Sequence, residues 1–479
     1  MEFSIVMVYQ LMWSLLGICG ISFAYSGLKL FGKQKLKLID EKKASKIDKL
    51  LGENGVQVSK DIILTEKASY EGICVFGPTG SFKTTTLIIP NLLQNKFPKS
   101  SIVVLDLKGE IQKITGAYQK TLGRKIYTFS PLSLVHKFRY NILEMCVGED
   151  NKPDVTQVRQ LAQSIVINGS LALSDGSGSG SNSWENMSIP LTTSALLWVM
   201  QFPTMNNVTD ALKLIINSTF EELDDLFSKA KDKNITLQWN LFKTSIDSPK
   251  TMGSIKITLA TSLQIFTDPK IEKSTCHSDF NFKNFRKEPS IIYIQYDQQD
   301  SKYLAPFMAV FYTQMFKKLL EKYNDKMLPT FVFLDEFNNA GKIIDFDNIC
   351  ATARSSKLSI MPILQDLSGL QKNYGENCGA TILNNLKTKL VLGGLSDLKA
   401  QQYISTECGP HEVISISESK NSKGEKSKST SAHKEDLLSP ADIRKIGDED
   451  ILIIISNKQA IIRKKNTYFK QEKYTKNVF

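Results

Sequence analysis

Residues 77–86 read GPTGSFKTTT, one position short of the G-x-x-x-x-G-K-[ST] loop that cradles nucleotide phosphates. In such a loop, backbone N–H groups and a helix N-terminus point at the phosphates. The lysine reaches the β and γ oxygens, and the next hydroxyl holds Mg²⁺. Those two roles fall on Lys83 and Thr84, with Gly77, Pro78, Thr79, Gly80, Ser81, Phe82 and Thr85 completing the phosphate contacts. The mismatch is Phe82, which stands where the second glycine belongs. A side chain there crowds the phosphates and disfavours φ > 0, so weaker binding or a reshaped loop is expected.

The other half of the chemistry lies in FVFLDEF, residues 331–337, an apolar run that delivers two acids. At the carboxyl end of a strand Asp335 can hold Mg²⁺ through water, and Glu336 can polarise the water that attacks the γ phosphate. A strand ending in two solvated acids is the plain alternative, and the upstream loop weighs against it. Gln365, which closes LSIMPILQ (358–365), is a candidate sensor of the γ phosphate.

These residues need a sheet to bring them together. GICVF (72–76) reads as a strand entering the loop, and TTTLIIPNLL continues as a helix. SIVVLD (101–106) and RKIYTFSP (124–131) give further strands around a helical stretch that ends near Gly123. This β-α-β-α-β order predicts an α/β fold with a doubly wound, mostly parallel sheet and right-handed crossovers. Strand signals resume at 290–296, 330–337, 358–365, 386–394 and 450–456. Between the two groups, residues 155–248 place their apolar residues at helical spacings, which predicts an all-helical insertion. SDGSGSGSNS (174–183) is a flexible connector within it. The Ser/Lys tract 415–436 is too polar to fold by itself and is expected to be a solvated loop, ahead of a nucleic-acid finger.

With 479 residues and a net charge of +11, the chain has ample core and favours an anionic partner, nucleic acid or an anionic membrane face. Seven cysteines without a C-x-x-C pair and four scattered histidines suggest neither a zinc site nor a disulfide framework. Residues 3–28 carry no charge and exceed the roughly 20 residues that cross a bilayer. The lysines that follow, from Lys29 to Lys49, put the bulk of the chain on the cytoplasmic side of the cell membrane. A cleaved signal peptide fits less well, because no basic segment precedes the apolar run. The expected layout is an anchor at 1–32, a juxtamembrane segment at 33–70, and a nucleotide-binding domain in two parts, 71–154 and 251–479. An all-alpha domain at 155–250 is inserted between those parts.

Blocks spread along almost the whole chain carry a family resemblance: GPTGSFKT, VVLDLKGEI, YTFSP, RYNIL, TDPKIEKSTCHSDF, FLDEFNNAGKI, ILQDLSGLQKNYG, ILNNLKTKLVLGG and LLSPADIRKI. The chain resembles the coupling proteins of type IV secretion, the TraG/TraD type of RecA-like P-loop ATPase in conjugation systems. The resemblance implies ATP and Mg²⁺ as cofactors and a homo-hexameric ring with nucleotide between subunits. It also implies a relaxase joined to single-stranded DNA as cargo, with or without protein substrates, and a secretion channel as partner. Position by position, Lys83 and Thr84 match the phosphate-loop pair, Asp335 and Glu336 the second acidic motif, and Gln365 the third motif. Arg354, in ATARSS, sits where a trans-acting arginine is expected, although a helix-surface arginine is an equal reading. Two other functions compete: a membrane receptor that binds nucleotide with little hydrolysis, and a DNA pump of the FtsK type. The FtsK type resembles the chain less after Gln365.

Overall fold

The computed structural model describes residues 51–478 other than 98, 134, 136, 137, 149, 174–182, 205, 247, 248 and 421–425. The expected anchor and its trailing lysines lie outside the described residues. Among the described residues no helix is long and apolar enough to cross a membrane.

Eleven strands are described: β1 (Ile73–Phe76), β2 (Ser101–Leu105), β3 (Lys125–Phe129), β4 (Ser290–Ile294), β5 (Thr330–Leu334), β6 (Leu358–Leu364), β7 (Thr388–Leu392), β8 (Pro410–Lys420), β9 (Lys426–Asp436), β10 (Asp450–Ile455) and β11 (Ile461–Lys464). Nine form one sheet in the order β11-β10-β7-β1-β6-β5-β2-β4-β3. From β7 to β3 every pairing is parallel. β10 and β11 close the other edge in antiparallel register. The central strands are near-continuous Val, Ile, Leu and Phe runs because both faces of a parallel sheet are covered.

Alternation along each strand sorts these side chains. Phe76, Val103, Ile292, Val332 and Ile360 face the helical side. Val75, Val104, Tyr293, Phe333 and Ile363 face the helix that follows the phosphate loop, through Leu87, Ile88 and Leu92. Residues 56–64 contribute Val56, Val58, Ile62 and Leu64 to that second face.

The middle of the chain is helical, beginning with Val155–Leu173 and Ser183–Val199. Capping boxes at Asn207 and Thr219 start the helices Val208–Asn217 and Phe220–Ser228 by satisfying orphan N–H groups. Helix Lys233–Thr244 follows, and helical structure runs on past residue 250 as Pro249–Ser262 and Pro269–Ser274. Helix Val155–Leu173 packs on Ser301–Leu319 and so ties this block to the sheet.

The Ser/Lys tract corrects the expectation of an irregular loop. Residues 415–420 and 426–436 lie in a two-stranded antiparallel arm, β8 on β9, from Pro410 opposite Asp436 to Lys420 opposite Lys426. Composition predicted no hydrophobic core, and Ile414 is indeed 66% exposed. Pairing needs no core here, because β-branched and small polar residues in VISIS and STSAH satisfy one another's backbone across the hairpin.

Candidate nucleotide site

β1, β6 and β5 are adjacent, and their carboxyl ends carry the phosphate loop, Gln365, and Asp335 with Glu336. The Gly77 N–H donates to Leu364 O at 3.0 Å and joins the start of the loop to the end of β6. A Cβ on Gly77 would lie 2.8 Å from Ser81 Oγ and 2.9 Å from Leu392 Cδ1, so a larger residue would force those side chains to shift. Gly80 takes φ 80, where glycine has no steric cost. Ser81 donates to Pro78 O from both N and Oγ, at 3.2 and 2.8 Å. Lys83 Nζ donates to the same carbonyl at 3.0 Å. The following helix opens with a widened i→i+5 turn at Thr84–Ile88, and Pro90 has no N–H to offer the turn before it.

Phe82 departs from its expected behaviour. It adopts φ 63 despite its side chain, and the residue is 58% exposed. The left-handed conformation costs a non-glycine residue about 1–2 kcal/mol. Surrounding hydrogen bonds hold it there: Thr86 N and Thr85 Oγ1 donate to Phe82 O at 2.9 and 3.1 Å, and Lys465 Nζ donates to Ser81 O at 3.1 Å. The loop thus keeps the backbone shape that a second glycine would allow.

Below the loop, Thr84 Oγ1 donates to Asp335 Oδ2 at 2.5 Å. The other oxygen, Asp335 Oδ1, is buried and has no hydrogen-bond partner among the described residues. Burial pushes the Asp335 carboxyl up from its ordinary range, against the Thr84 bond and the Lys83 charge. Burial pushes the Lys83 ammonium down, against the attraction of Asp335 and Glu336. A desolvated carboxylate with an orphan oxygen beside a hydroxyl is a hard-oxygen donor set that suits Mg²⁺, and a desolvated lysine suits phosphate. Glu336 stands at φ 56, the kind of backbone strain that collects at functional sites, and accepts from Asn339 Nδ2 at 3.2 Å. Gln365 Oε1 faces the loop and accepts from Thr79 Oγ1 at 3.4 Å. A cleft of about 470 Å³, lined by Glu336, Gln365, Ser301, Lys302, Asn338 and Lys342 among others, opens beside these groups.

A family model described as type IV secretory system conjugative DNA transfer matches residues 29–478. The chain belongs to this conjugative DNA transfer family. VirD4 of Rhizobium radiobacter is 24% identical over 406 residues, which cover 82% of this chain and 56% of VirD4. The conjugal transfer protein TraG of Escherichia coli is 24% identical over 335 residues, which cover 64% and 50% of the two chains. The chain thus spans about half the length of these curated relatives. Among solved structures, the bacterial conjugative coupling protein TrwBΔN70 in an unbound form superposes with a TM-score of 0.65 at 16% identity over 90% of both chains. TrwB in complex with ADP and Mg²⁺ gives 0.64 at 16% over 89% and 92%. At that identity the likeness is one of fold, and it bears out the expected α/β architecture.

Within this member of the conjugative DNA transfer family the structure brings Lys83, Thr84, Asp335, Glu336 and Gln365 together. Arg354 lies elsewhere. It precedes the amino end of β6, a strand's length of about 20 Å from Gln365, and pairs with Glu71 Oε1 at 3.1 Å. Two other polar groups escaped sequence reasoning. Asp106, at the end of β2, accepts from Ile111 N, Gln112 N and Gln295 Nε2 at 3.1, 2.8 and 3.2 Å. It fixes the next helix, and its place at a strand end was the available signal. Lys465 had no such signal, since nothing near it in sequence points to the loop.

Proposed function

We propose that this chain is a membrane-anchored ATPase coupling protein that recruits a relaxase joined to single-stranded DNA, or a protein substrate, and uses ATP hydrolysis to pass it to a type IV secretion channel. The observation that carries the reading is the Thr84–Asp335 pair beneath Lys83, with an orphan carboxylate oxygen left over. Residues 77–85 bind the phosphates, and Thr84 and Asp335 hold Mg²⁺, which neutralises phosphate charge when bound. Lys83 exchanges the Pro78 carbonyl for phosphate oxygens. Glu336 accepts the proton of the attacking water, and Gln365 orients the γ phosphate. Arg354 serves a neighbouring subunit in a homo-hexamer, the anchor at 1–32 holds the ring at the cell membrane, and the helical block at 155–250 receives cargo. These roles agree with a basic chain that tracks phosphates without reading sequence.

The test is ATP hydrolysis by the full chain in detergent, with and without single-stranded DNA, beside Lys83→Ala. Hydrolysis that DNA stimulates and Lys83→Ala abolishes is expected. Nucleotide binding with no turnover under any condition would leave the docking-receptor reading instead.

A further inference from the structure

Lys465 follows β11, is only 8% exposed, and gives its Nζ to Ser81 O at 3.1 Å. Of the nearby acids, Asp450 pairs with Lys464 at 2.5 Å and Glu449 with Lys470 at 2.8 Å, while Asp448 attracts the Lys465 ammonium without a direct ion pair. Among the described residues Lys465 makes no ion pair, so a buried ammonium is held by one carbonyl of the phosphate loop. Its approach is rigid. Lys465 N donates to Glu449 O at 2.9 Å. The next residue, Asn466, bonds Tyr474 OH at 2.8 Å, and Tyr474 OH donates to Gln57 Oε1 at 3.0 Å. Gln57 N in turn donates to Asn91 Oδ1 at 2.8 Å, on the helix that leaves the loop. Lys465 therefore reaches Ser81 from a platform fixed to the same helix that the loop feeds.

We infer that Lys465 is a positioning residue for nucleotide binding, one that holds the Ser81 carbonyl so that Phe82 keeps its left-handed conformation. A hydrogen bond from the far end of the chain does here what a glycine does by conformational freedom. The inference rests on the nucleotide-site reading above, and it specifies how a loop lacking its second glycine stays competent.

Four full-length proteins test it: native, Lys465→Met, Phe82→Gly and the double variant. Each is measured for affinity toward Mg²⁺ and a non-hydrolysable ATP analogue, for KM and kcat, and for Tm without nucleotide. In the Phe82 background Lys465→Met is expected to weaken binding about tenfold, raising KM and leaving kcat nearly unchanged. In the Phe82→Gly background the loss shrinks to about threefold or less, because glycine needs no restraint. The Tm loss runs the other way and is smaller with Phe82 present, since only a strained loop gains by relaxing when Lys465 is removed. Equal affinity losses in both backgrounds, or none, overturn the inference. A native chain that binds no nucleotide overturns the nucleotide reading instead. In that case the Tm cycle still decides whether Lys465 holds Phe82, and additive Tm changes would sink that too.

Discussion

Thr84 and Asp335, 251 residues apart in sequence, meet at 2.5 Å where the phosphate loop crosses the end of β5. The contact uses one carboxylate oxygen and leaves the other buried and unpartnered. Asp335→Asn should therefore lower nucleotide affinity in the presence of Mg²⁺ by on the order of 100-fold, the loss of a charged metal contact. In EDTA the variant and the native chain should bind alike. Titration of a fluorescent ATP analogue with and without Mg²⁺ checks this, and an unchanged Mg²⁺ dependence would refute the metal role.

Glu336 touches neither the loop nor Lys83 in the hydrogen bonds described, and its partner is Asn339. Glu336→Gln preserves shape and removes the proton acceptor. Steady-state hydrolysis should fall 100-fold or more, a typical loss for a general base, with analogue affinity kept within about threefold. A variant that loses binding in parallel with turnover would make Glu336 a ligand-holding group instead.

The raised Asp335 carboxyl has a stability consequence. Its folded-state pKa lies above the unfolded value, so its contribution is fully present below the ordinary carboxylate pKa and is lost as pH rises through the raised one. The nucleotide-free chain should thus lose stability over that window, and Asp335→Asn should flatten the loss. Saturating Mg²⁺ and nucleotide should reverse it. Tm against pH for both proteins, with and without ligand, reads the effect directly.

The β8–β9 arm stands apart from the nine-stranded sheet. Its first residue pair, Pro410 opposite Asp436, already brings the two ends together. Replacing residues 411–435 by a short Gly-containing turn should shift Tm by no more than about 3 °C, since an isolated hairpin adds little stability of its own. DNA-stimulated hydrolysis measured on the same protein reports whether the arm serves cargo.

Much of the site could be read in the linear chain because each part ends an apolar run: ICVF before the loop, FVFL before Asp335 and Glu336, LSIMPIL before Gln365. A buried parallel strand announces itself by composition, and its carboxyl end is where ligands gather. Phe82 could not be judged that way. Its conformation depends on Lys465, which reaches the residue before it from 384 positions downstream, and local steric preference alone argued against φ > 0. The Ser/Lys tract misled for a related reason. Low hydrophobicity predicts no core, yet a hairpin satisfies its backbone without one. Helical structure past residue 250 was also hidden, because KTMGSIKITLATS mixes lysine and threonine into its apolar face and blurs the helical period.

The sheet's polarity separates Arg354 from its own phosphate loop, for the two lie at opposite ends of the strands and Glu71 holds the guanidinium there. An arginine so placed has no path to the nucleotide of its own molecule. Any catalytic help it gives must be borrowed by another copy, so specific activity would climb with protein concentration and level off once every copy has a neighbour. Mixing native chains with Arg354→Ala chains would then depress the rate more steeply than simple dilution, whereas a purely structural arginine would leave the rate proportional to the native fraction.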